Sequence, residues 1–113
     1  MKQNKGLVSL AAISGALAVA AGAFGAHGAH GDAVRWLRTG AEYQLIHAAA
    51  AMCALSLPRG RLAALLMLLG AALFAGSLYA MALGAPRSWG IVTPVGGASM
   101  IIGWVVLALA ALR

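Results

Sequence analysis

The amino-acid sequence predicts an all-α integral membrane protein, a bundle of four transmembrane helices with a short interfacial segment after the first. Of its 113 residues, 63% are hydrophobic and 9% are charged, whereas a soluble domain is about half apolar and about a quarter charged. A water-soluble protein of this length could not bury so much apolar surface in one core. The cations stand in ones and twos between long apolar runs, as membrane proteins place them. We therefore expect one transmembrane domain over residues 1–113, with helices at 6–27, 41–57, 62–83 and 95–112.

Net charge and cysteine content exclude several classes of protein. The formal net charge is +6, but the chain has no basic stripe with interleaved aromatic residues, so we expect no nucleic-acid partner. Cys53 is the single cysteine, which leaves no internal disulfide and no C-x-x-C metal motif. It stands in an apolar run and is expected to be a small buried hydrophobic residue. We also expect no cofactor.

The first predicted helix, residues 6–27, follows a short cationic start that contains Lys2 and Lys5. Its apolar run has about 20 residues, the length that a helix needs to cross hydrocarbon. The same features also resemble a secretory signal peptide with a cleavage site at Ala21-Gly22-Ala23. Against that alternative, the run exceeds the usual apolar region of about 7–15 residues, and a polar cluster follows it directly. We therefore expect the segment to stay attached as a transmembrane helix.

Small residues mark one side of this helix. In lipid, such residues let two helices approach closely, so that packing contacts replace the missing hydrophobic driving force. Close packing is the simpler interpretation, and approach of the backbone to a ligand is the alternative. Because small residues lie on more than one side, we expect this helix to be the central one. The two series are Ser14, Ala18, Gly22 and Ala26, spaced by four, and Gly22, Gly25, Gly28 and Gly31, spaced by three.

Residues 32–39 are the first solvated piece of the chain. Asp32 is a plausible helix N-cap, and Arg35, Trp36 and Arg38 suit a segment that lies in the membrane interface. Gly40 is the expected break before the second helix at 41–57. That helix is short for a full span unless residues 32–39 are continuous with it.

Proline and small residues delimit the last two helices. Pro58 ends the second helix, and Pro94 suits the first turn of the fourth, with Thr93 as its N-cap. The third and fourth helices both carry small residues that are expected at helix contacts. Across the whole chain, the glycines expected at helix contacts are Gly22, Gly25, Gly28, Gly76, Gly96 and Gly97.

Charge distribution predicts the orientation in the membrane. Four spans place both termini on one side, and the positive-inside rule assigns the side richer in lysine and arginine to the cytoplasm. We therefore expect a multi-pass protein of the plasma membrane with both termini in the cytoplasm. The cations of the terminal side are Lys2, Lys5, Arg59, Arg61 and Arg113, against Arg35, Arg38 and Arg87 on the other side.

The motif Gly22-Ala23-Phe24-Gly25-Ala26-His27-Gly28 resembles the hallmark of a family of small bacterial membrane proteins of unknown function. Eukaryotic transmembrane protein 256 is similar to the same family. The resemblance implies a four-helix protein of the plasma membrane and brings no catalytic residue. His30 lies outside the family pattern. The resemblance continues, in the family's order, through Tyr43-Gln44, His47-Ala48, Phe74-Ala75-Gly76-Ser77-Leu78-Tyr79, Thr93-Pro94-Val95-Gly96-Gly97 and Gly103-Trp104.

The polar residues around the first loop form the candidate site. Ionisable groups at membrane depth are costly and are therefore functional-site hypotheses. Three uses are open: hydrogen bonds between helices, binding or translocation of a small polar solute, proton or lipid headgroup, and a metal site built from His27, His30, Glu42 and His47. The metal site is the least favoured, since no H-E-x-x-H or equivalent motif is present. The candidate cluster is His27, Glu42, Tyr43, Gln44 and His47.

The predicted function is accordingly a small integral membrane protein of unassigned activity that serves as a structural or assembly factor. The alternative is a solute-, lipid- or proton-binding module that uses the polar cluster. No Ser/His/Asp or Cys/His constellation is evident, so we expect no enzyme. The expected partners are the lipid bilayer and either a second copy of the chain or another membrane protein.

Overall fold

A computed structural model describes residues 4–112 and contains four α-helices: α1 (Lys5–His27), α2 (Asp32–Leu55), α3 (Arg61–Ala82) and α4 (Val92–Ala111). A short 3-10 helix, Arg87–Ile91, leads into α4. No strand occurs among the described residues, which confirms the all-α class. By length and composition, α1, α3 and the stretch Arg87–Ala111 are able to cross a membrane.

Successive helices run antiparallel and form a flattened bundle of 46 × 24 × 17 Å. At the first end of the bundle, Arg61 Nη1 donates a hydrogen bond to Asn4 Oδ1 over 2.6 Å. At the second end, Arg87 forms an ion pair with Asp32. These two contacts join the start of α1 to the start of α3, and the start of α2 to the entry of α4. Lys2 and Arg113, which enter the orientation argument, lie outside the described residues.

The central helices are α2 and α3, so the expectation that the first helix is central was wrong. The outer helix α1 packs on α2, and α4 packs on α3. Buried positions on α1 follow a single stripe of Leu7, Ala11, Ala18 and Gly25. The central helices achieve close approach with alanine instead, since the fully buried residues of α2 and α3 are Ala51, Ala54, Ala63, Ala64, Met67, Ala71 and Ala75.

The segment expected to lie in the interface is the first part of α2, and Gly40 does not interrupt the helix. A Cβ atom added at Gly40 would lie 2.7 Å from Cε1 of Tyr79. The glycine therefore makes room for an aromatic ring of α3, and this contact stabilises a helix that Gly40 would otherwise weaken. The N-cap is Gly31 with φ +63°, and Asp32 is the first helical residue, where its charge complements the helix dipole.

The fourth helix also begins earlier than expected. Its N-cap is Ile91, and Thr93 and Pro94 lie within the first turn. Proline is tolerated there because the first four backbone N–H groups of a helix have no partner inside it. Thr93 is not an N-cap, and its hydroxyl instead shares a hydrogen bond with the hydroxyl of Ser77 on α3.

The tightest helix contact is between α3 and α4 at Gly70 and Gly96. A Cβ atom on Gly70 would lie 2.7 Å from the carbonyl oxygen of Gly96, and one on Gly96 would collide with the backbone of Phe74. By contrast, a Cβ atom on Gly76 would meet open space, and one on Gly28 would meet only Phe24 of the same segment. Gly28 and Gly76 are therefore not contact positions between helices, contrary to expectation.

The other expected contact glycines differ in how closely they are approached. A Cβ atom at Gly25 would lie 3.0 Å from Cβ of Leu37 on α2, and one at Gly22 would lie 3.5 Å from Cβ of Ala41. At Gly97 the nearest atom would be Cδ1 of Phe74 at 3.8 Å, an ordinary van der Waals contact. The α1–α2 seam is thus close at Gly25 and looser at Gly22.

The exterior of the bundle is apolar and its interior contains the bonded polar groups. Large exposed side chains include Leu10, Ile13 and Leu17 along α1 and Ile101 and Val105 along α4. Such a surface suits hydrocarbon and would be an association site in water. Cys53 is exposed on this surface, so the expectation that it is buried was wrong. In a bundle only two helix layers thick, an apolar residue can face lipid as easily as the core.

Candidate functional site

The candidate polar residues of α2 point in different directions. Gln44 and His47 are buried, each with 5% of its surface exposed. Glu42 and Tyr43 are exposed. A helix turns by about 100° per residue, so adjacent residues cannot share one face, whereas residues three or four apart can. The sequence cluster is therefore divided between the interior and the surface of the bundle.

Gln44 connects three helices through its side-chain amide. Its Nε2 group donates to Oγ of Ser14 on α1 over 3.1 Å. Its Oε1 atom accepts from the hydroxyl of Tyr79 on α3 over 2.7 Å. A single side chain of α2 therefore links α1 to α3, although these two helices make few contacts with each other.

His47 connects α2 to α4 and uses both ring nitrogens. Its Nδ1 atom lies 2.7 Å from the carbonyl oxygen of Tyr43, and its Nε2 atom lies 2.9 Å from Nε1 of Trp104. The indole N–H can only donate, so Nε2 accepts and Nδ1 carries the proton that binds the carbonyl. The ring is neutral in this arrangement and has no nitrogen free for a metal or a solute.

Gln44 and His47, which we call the polar hub, thus bond to all three other helices. Aromatic rings flank the hub near α4: Tyr43 and Phe74 have ring centroids 4.9 Å apart, and His47 and Trp104 have centroids 5.8 Å apart. No buried side-chain nitrogen or oxygen lacks a partner in the described part of the chain. The hub is a connector between helices, which is one of the three uses considered from sequence.

The hub faces an apolar furrow between α1 and α3. Two cavities of about 440 and 240 Å³ occupy this furrow, and Gln44, Leu17 and Ala72 line both of them. Phe24 and Tyr79 line the larger cavity. The furrow is open to the hydrocarbon side of the bundle and contains no charged lining residue.

The histidines of the first loop do not join the hub. His27 ends α1 and is exposed, as is His30. Within residues 4–112, no group of three or more histidine, cysteine or acidic side chains is close enough to hold a metal ion. The structure therefore brings Tyr43, Gln44 and His47 together and separates His27 and Glu42 from them.

Glu42 lies instead in a cleft between α1 and α2 near the second end. The cleft has a volume of about 440 Å³. One wall consists of small residues and the other carries Arg38 and Glu42. We call it the Arg38/Glu42 cleft; its lining residues are Gly22, Gly25, Ala26, Ala29, Val34, Arg38, Ala41 and Glu42.

Arg38 and Glu42 are one helical turn apart on α2, but they do not form an ion pair with each other. The salt bridges of the described residues both belong to Asp32, which contacts Arg35 at 3.6 Å and also Arg87. The guanidinium of Arg87 also lies 5.3 Å from the ring centre of Trp36. Neither Arg38 nor Glu42 has an ion-pair partner among the described residues, and both line the cleft.

Sequence reasoning missed three partners of the hub. Ser14 was interpreted as a small packing residue, and Tyr79 and Trp104 were not assigned to the site. Each of these residues is a polar side chain in a largely apolar helix. A polar group in a membrane span needs a hydrogen-bonding partner, and this could have marked the three residues as candidates. Which helix supplies that partner depends on packing and cannot be read from spacing along one helix.

Residues 21–97 match a family model described as "Protein of unknown function (DUF423)". The chain is 40% identical over 117 residues to the UPF0382 inner membrane protein YgdD of Escherichia coli (strain K12), with 95% of this chain and 89% of the relative covered. It is 42% identical over 110 residues to a UPF0382 membrane protein of Haemophilus influenzae, with 89% of each chain covered. A shorter match of 48 residues, 48% identical, links 42% of the chain to 39% of a UPF0382 membrane protein of Staphylococcus epidermidis. No solved structure matches.

Proposed function

The chain belongs to the DUF423 family of membrane proteins of unknown function, and from that premise we propose that it is a structural or assembly factor without catalytic activity. Its relatives include proteins named as inner membrane proteins, which supports a place in the plasma (inner) membrane. The observation that carries the proposal is the polar hub. Gln44 and His47 use their hydrogen bonds to hold α1, α3 and α4 on α2. A solute or proton carrier would need at least one of these groups free.

The proposal includes α2 as the fourth transmembrane span. At 24 residues α2 is long enough, but Glu42, Gln44 and His47 lower its apolarity. A polar group in lipid is costly mainly when it has no partner. Gln44 and His47 have partners on neighbouring helices, and Arg38 can extend toward the surface along its apolar stem. The neighbours of α2 in the chain, α1 and α3, run antiparallel to it and are able to cross a membrane, which supports the same conclusion.

In the proposed orientation, the first end of the bundle and both termini face the cytoplasm. Lys5, Arg59 and Arg61 lie at the first end, and in the sequence Lys2 precedes α1 and Arg113 follows α4. The second end carries Arg35, Arg38 and Arg87. Only lysine and arginine count in the positive-inside rule, so the balance favours the first end.

The structural role is tested by proton flux into vesicles that contain the purified protein. Vesicles with the wild-type chain should acidify no faster than empty vesicles under an imposed pH gradient, because both ring nitrogens of His47 are engaged in hydrogen bonds within the bundle. Faster acidification that a His47→Phe variant abolishes would overturn the proposal. A Cys53→Ala variant serves as the control, since Cys53 lies on the same helix and is exposed.

A second candidate function is ligand binding in the Arg38/Glu42 cleft. The observation that favours it is a cavity of about 440 Å³ with two opposite charges on one wall. The earlier alternative placed such a site at His27, Glu42 and His47 together. The cleft retains Glu42 from that set and combines it with Arg38, while His47 is occupied in the hub.

A further inference from the structure

We propose that the Arg38/Glu42 cleft binds the headgroup of a zwitterionic phospholipid that carries a primary ammonium, phosphatidylethanolamine. In this arrangement the guanidinium of Arg38 binds the lipid phosphate and the carboxylate of Glu42 binds the ammonium. The inference deepens the second candidate function by naming its ligand, and it rests on that function. It does not depend on the structural role of the polar hub.

The two charges of the cleft match a phosphate and an ammonium joined by a short linker. Arg38 and Glu42 stand four residues apart on α2, which separates their Cβ atoms by about 6 Å. The structure gives neither side chain a hydrogen bond or salt bridge with another described residue. Guanidinium groups bind phosphate oxygens through two parallel hydrogen bonds. The carboxylate of Glu42 is exposed and has no ion-pair partner among the described residues, so a cationic group in the cleft would complement its charge.

The hydrogen-bonding capacity of Glu42 discriminates among lipid headgroups. An ionised carboxylate only accepts hydrogen bonds, so it favours a cation that donates N–H groups. A primary ammonium has three such donors and a quaternary choline group has none. A glycerol headgroup has no cation to offset the charge. The cleft should therefore favour ethanolamine over choline and over an anionic glycerol headgroup.

Small residues give the cleft its space. Gly22 and Gly25 of α1 form part of the wall that faces the charges, and Ala26 and Ala29 extend it toward the second end. A Cβ atom at Gly22 would lie 3.5 Å from Cβ of Ala41, which lines the opposite wall, so the two walls are close at this point. Any larger side chain along this wall would occupy the cleft volume, so the small residues of the first motif are what keep the cleft open.

The position of the cleft favours a lipid over a free solute. It is near the second end, where Trp36 and Arg87 lie together as interfacial residues do. Toward the centre of the membrane the cleft gives way to apolar surface. Leu45 follows Glu42 by one turn and is 46% exposed, and Val19 precedes Gly22 by three residues and is 60% exposed. An acyl chain can run along this surface while the headgroup bends into the cleft with its ammonium first.

The test uses the purified full-length protein in dodecyl maltoside with individual lipids added, and native mass spectrometry to count the lipids bound. Phosphatidylethanolamine should bind about tenfold more tightly than phosphatidylcholine or phosphatidylglycerol with the same acyl chains, the scale expected for one charge-assisted contact. Equal binding of the three lipids, or preference for phosphatidylglycerol, would overturn the proposal.

Three variants test whether phosphatidylethanolamine binds in the Arg38/Glu42 cleft. Arg38→Gln and Glu42→Gln should each weaken phosphatidylethanolamine binding by about tenfold. Ala26→Leu should also weaken it, by filling the cleft without changing its charge, and Ala26 is exposed, so the fold should tolerate the change. Arg35→Gln is the matched control because Arg35 is an exposed arginine of α2 outside the cleft. Loss in Arg35→Gln equal to that in Arg38→Gln, or no loss in Glu42→Gln, would contradict the assignment.

A soluble analogue tests the identity of the ligand independently of whether the cleft binds a ligand at all. Glycerophosphoethanolamine has the same headgroup without acyl chains and should bind far more weakly than the lipid. If it binds as tightly, the cleft is a site for a water-soluble zwitterion, and the lipid proposal fails while the second candidate function stands. If neither compound binds better than phosphatidylcholine, both fail together.

Discussion

The indole of Trp104 on α4 donates a hydrogen bond to Nε2 of His47 on α2 across 2.9 Å. The two helices make few other contacts, so this bond is a principal link between them. It also fixes the tautomer of His47, because the other ring nitrogen must then donate to the carbonyl of Tyr43. A residue that the sequence marks as titratable is thereby used as a neutral connector.

Replacing Trp104 by phenylalanine should destabilise the protein by about 1–2 kcal/mol, because Nε2 of His47 loses its donor while the ring volume is largely kept. Thermal unfolding in detergent, followed by circular dichroism, measures the loss. Trp89→Phe is the control, since Trp89 is 48% exposed and Trp104 is 45% exposed, yet no side-chain hydrogen bond is found for Trp89 among the described residues. Equal losses in the two variants would mean that the bond to His47 does not stabilise the bundle.

Gln44 and Tyr79 should show energetic coupling. Gln44→Leu and Tyr79→Phe each break the 2.7 Å hydrogen bond between α2 and α3, so the double variant should lose less stability than the sum of the single losses. Hydrogen bonds of this kind in membranes contribute about 0.6 kcal/mol in such cycles. A coupling energy of zero within error would contradict a direct bond. Ser14→Ala removes the partner of Gln44 on α1 and leaves the bond to Tyr79 intact, so it measures the stability that the other hydrogen bond of Gln44 contributes.

Three glycine-to-alanine variants should separate contact glycines from the rest. Gly96→Ala should destabilise the bundle by about 1–3 kcal/mol, because the added methyl group meets the backbone of Phe74 on α3. Gly97→Ala should cost little, since its nearest neighbour would be 3.8 Å away. Gly76→Ala should be neutral or slightly stabilising, because the site is open and alanine favours the helix. Thermal stability in detergent gives the ranking, and an equal effect of all three would show that helix separation at Gly96 is wider than described.

Topology is tested by labelling single cysteines from outside intact cells. In a Cys53→Ala background, cysteines at Ala29 in the α1–α2 loop and at Ser88 before α4 should both react with a membrane-impermeant reagent, because both lie at the second end. A cysteine at Ser56, at the first end, should react only after the membrane is permeabilised. Labelling of Ser56 together with Ala29 would mean that α2 does not cross the membrane. Labelling of Ser56 alone would reverse the proposed orientation.

The candidate site illustrates what single-sequence reasoning can and cannot reach. Polarity at Gln44 and His47 was recognisable because polar groups in an apolar helix need partners. The structure does not bring His27 and Glu42 to these two residues, since His27 is exposed at the end of α1 and Glu42 is on the exposed side of α2. Gly40 is the same kind of case: as an isolated residue it predicts a break, whereas the ring of Tyr79 on α3 turns it into a contact.

By itself, the sequence determined the class and the family of this protein. Long apolar runs, sparse cations at their ends and the motif from Gly22 to Gly28 are local properties, and local properties suffice to predict apolar helices and to recognise relatives. Only the tertiary structure decided which helices are central, which polar groups are paired and where a cleft remains. Those outcomes depend on contacts between α2 and residues as distant in the chain as Ser14 and Trp104. Such contacts are set by helix packing in three dimensions and have no signature in the spacing of residues along one helix.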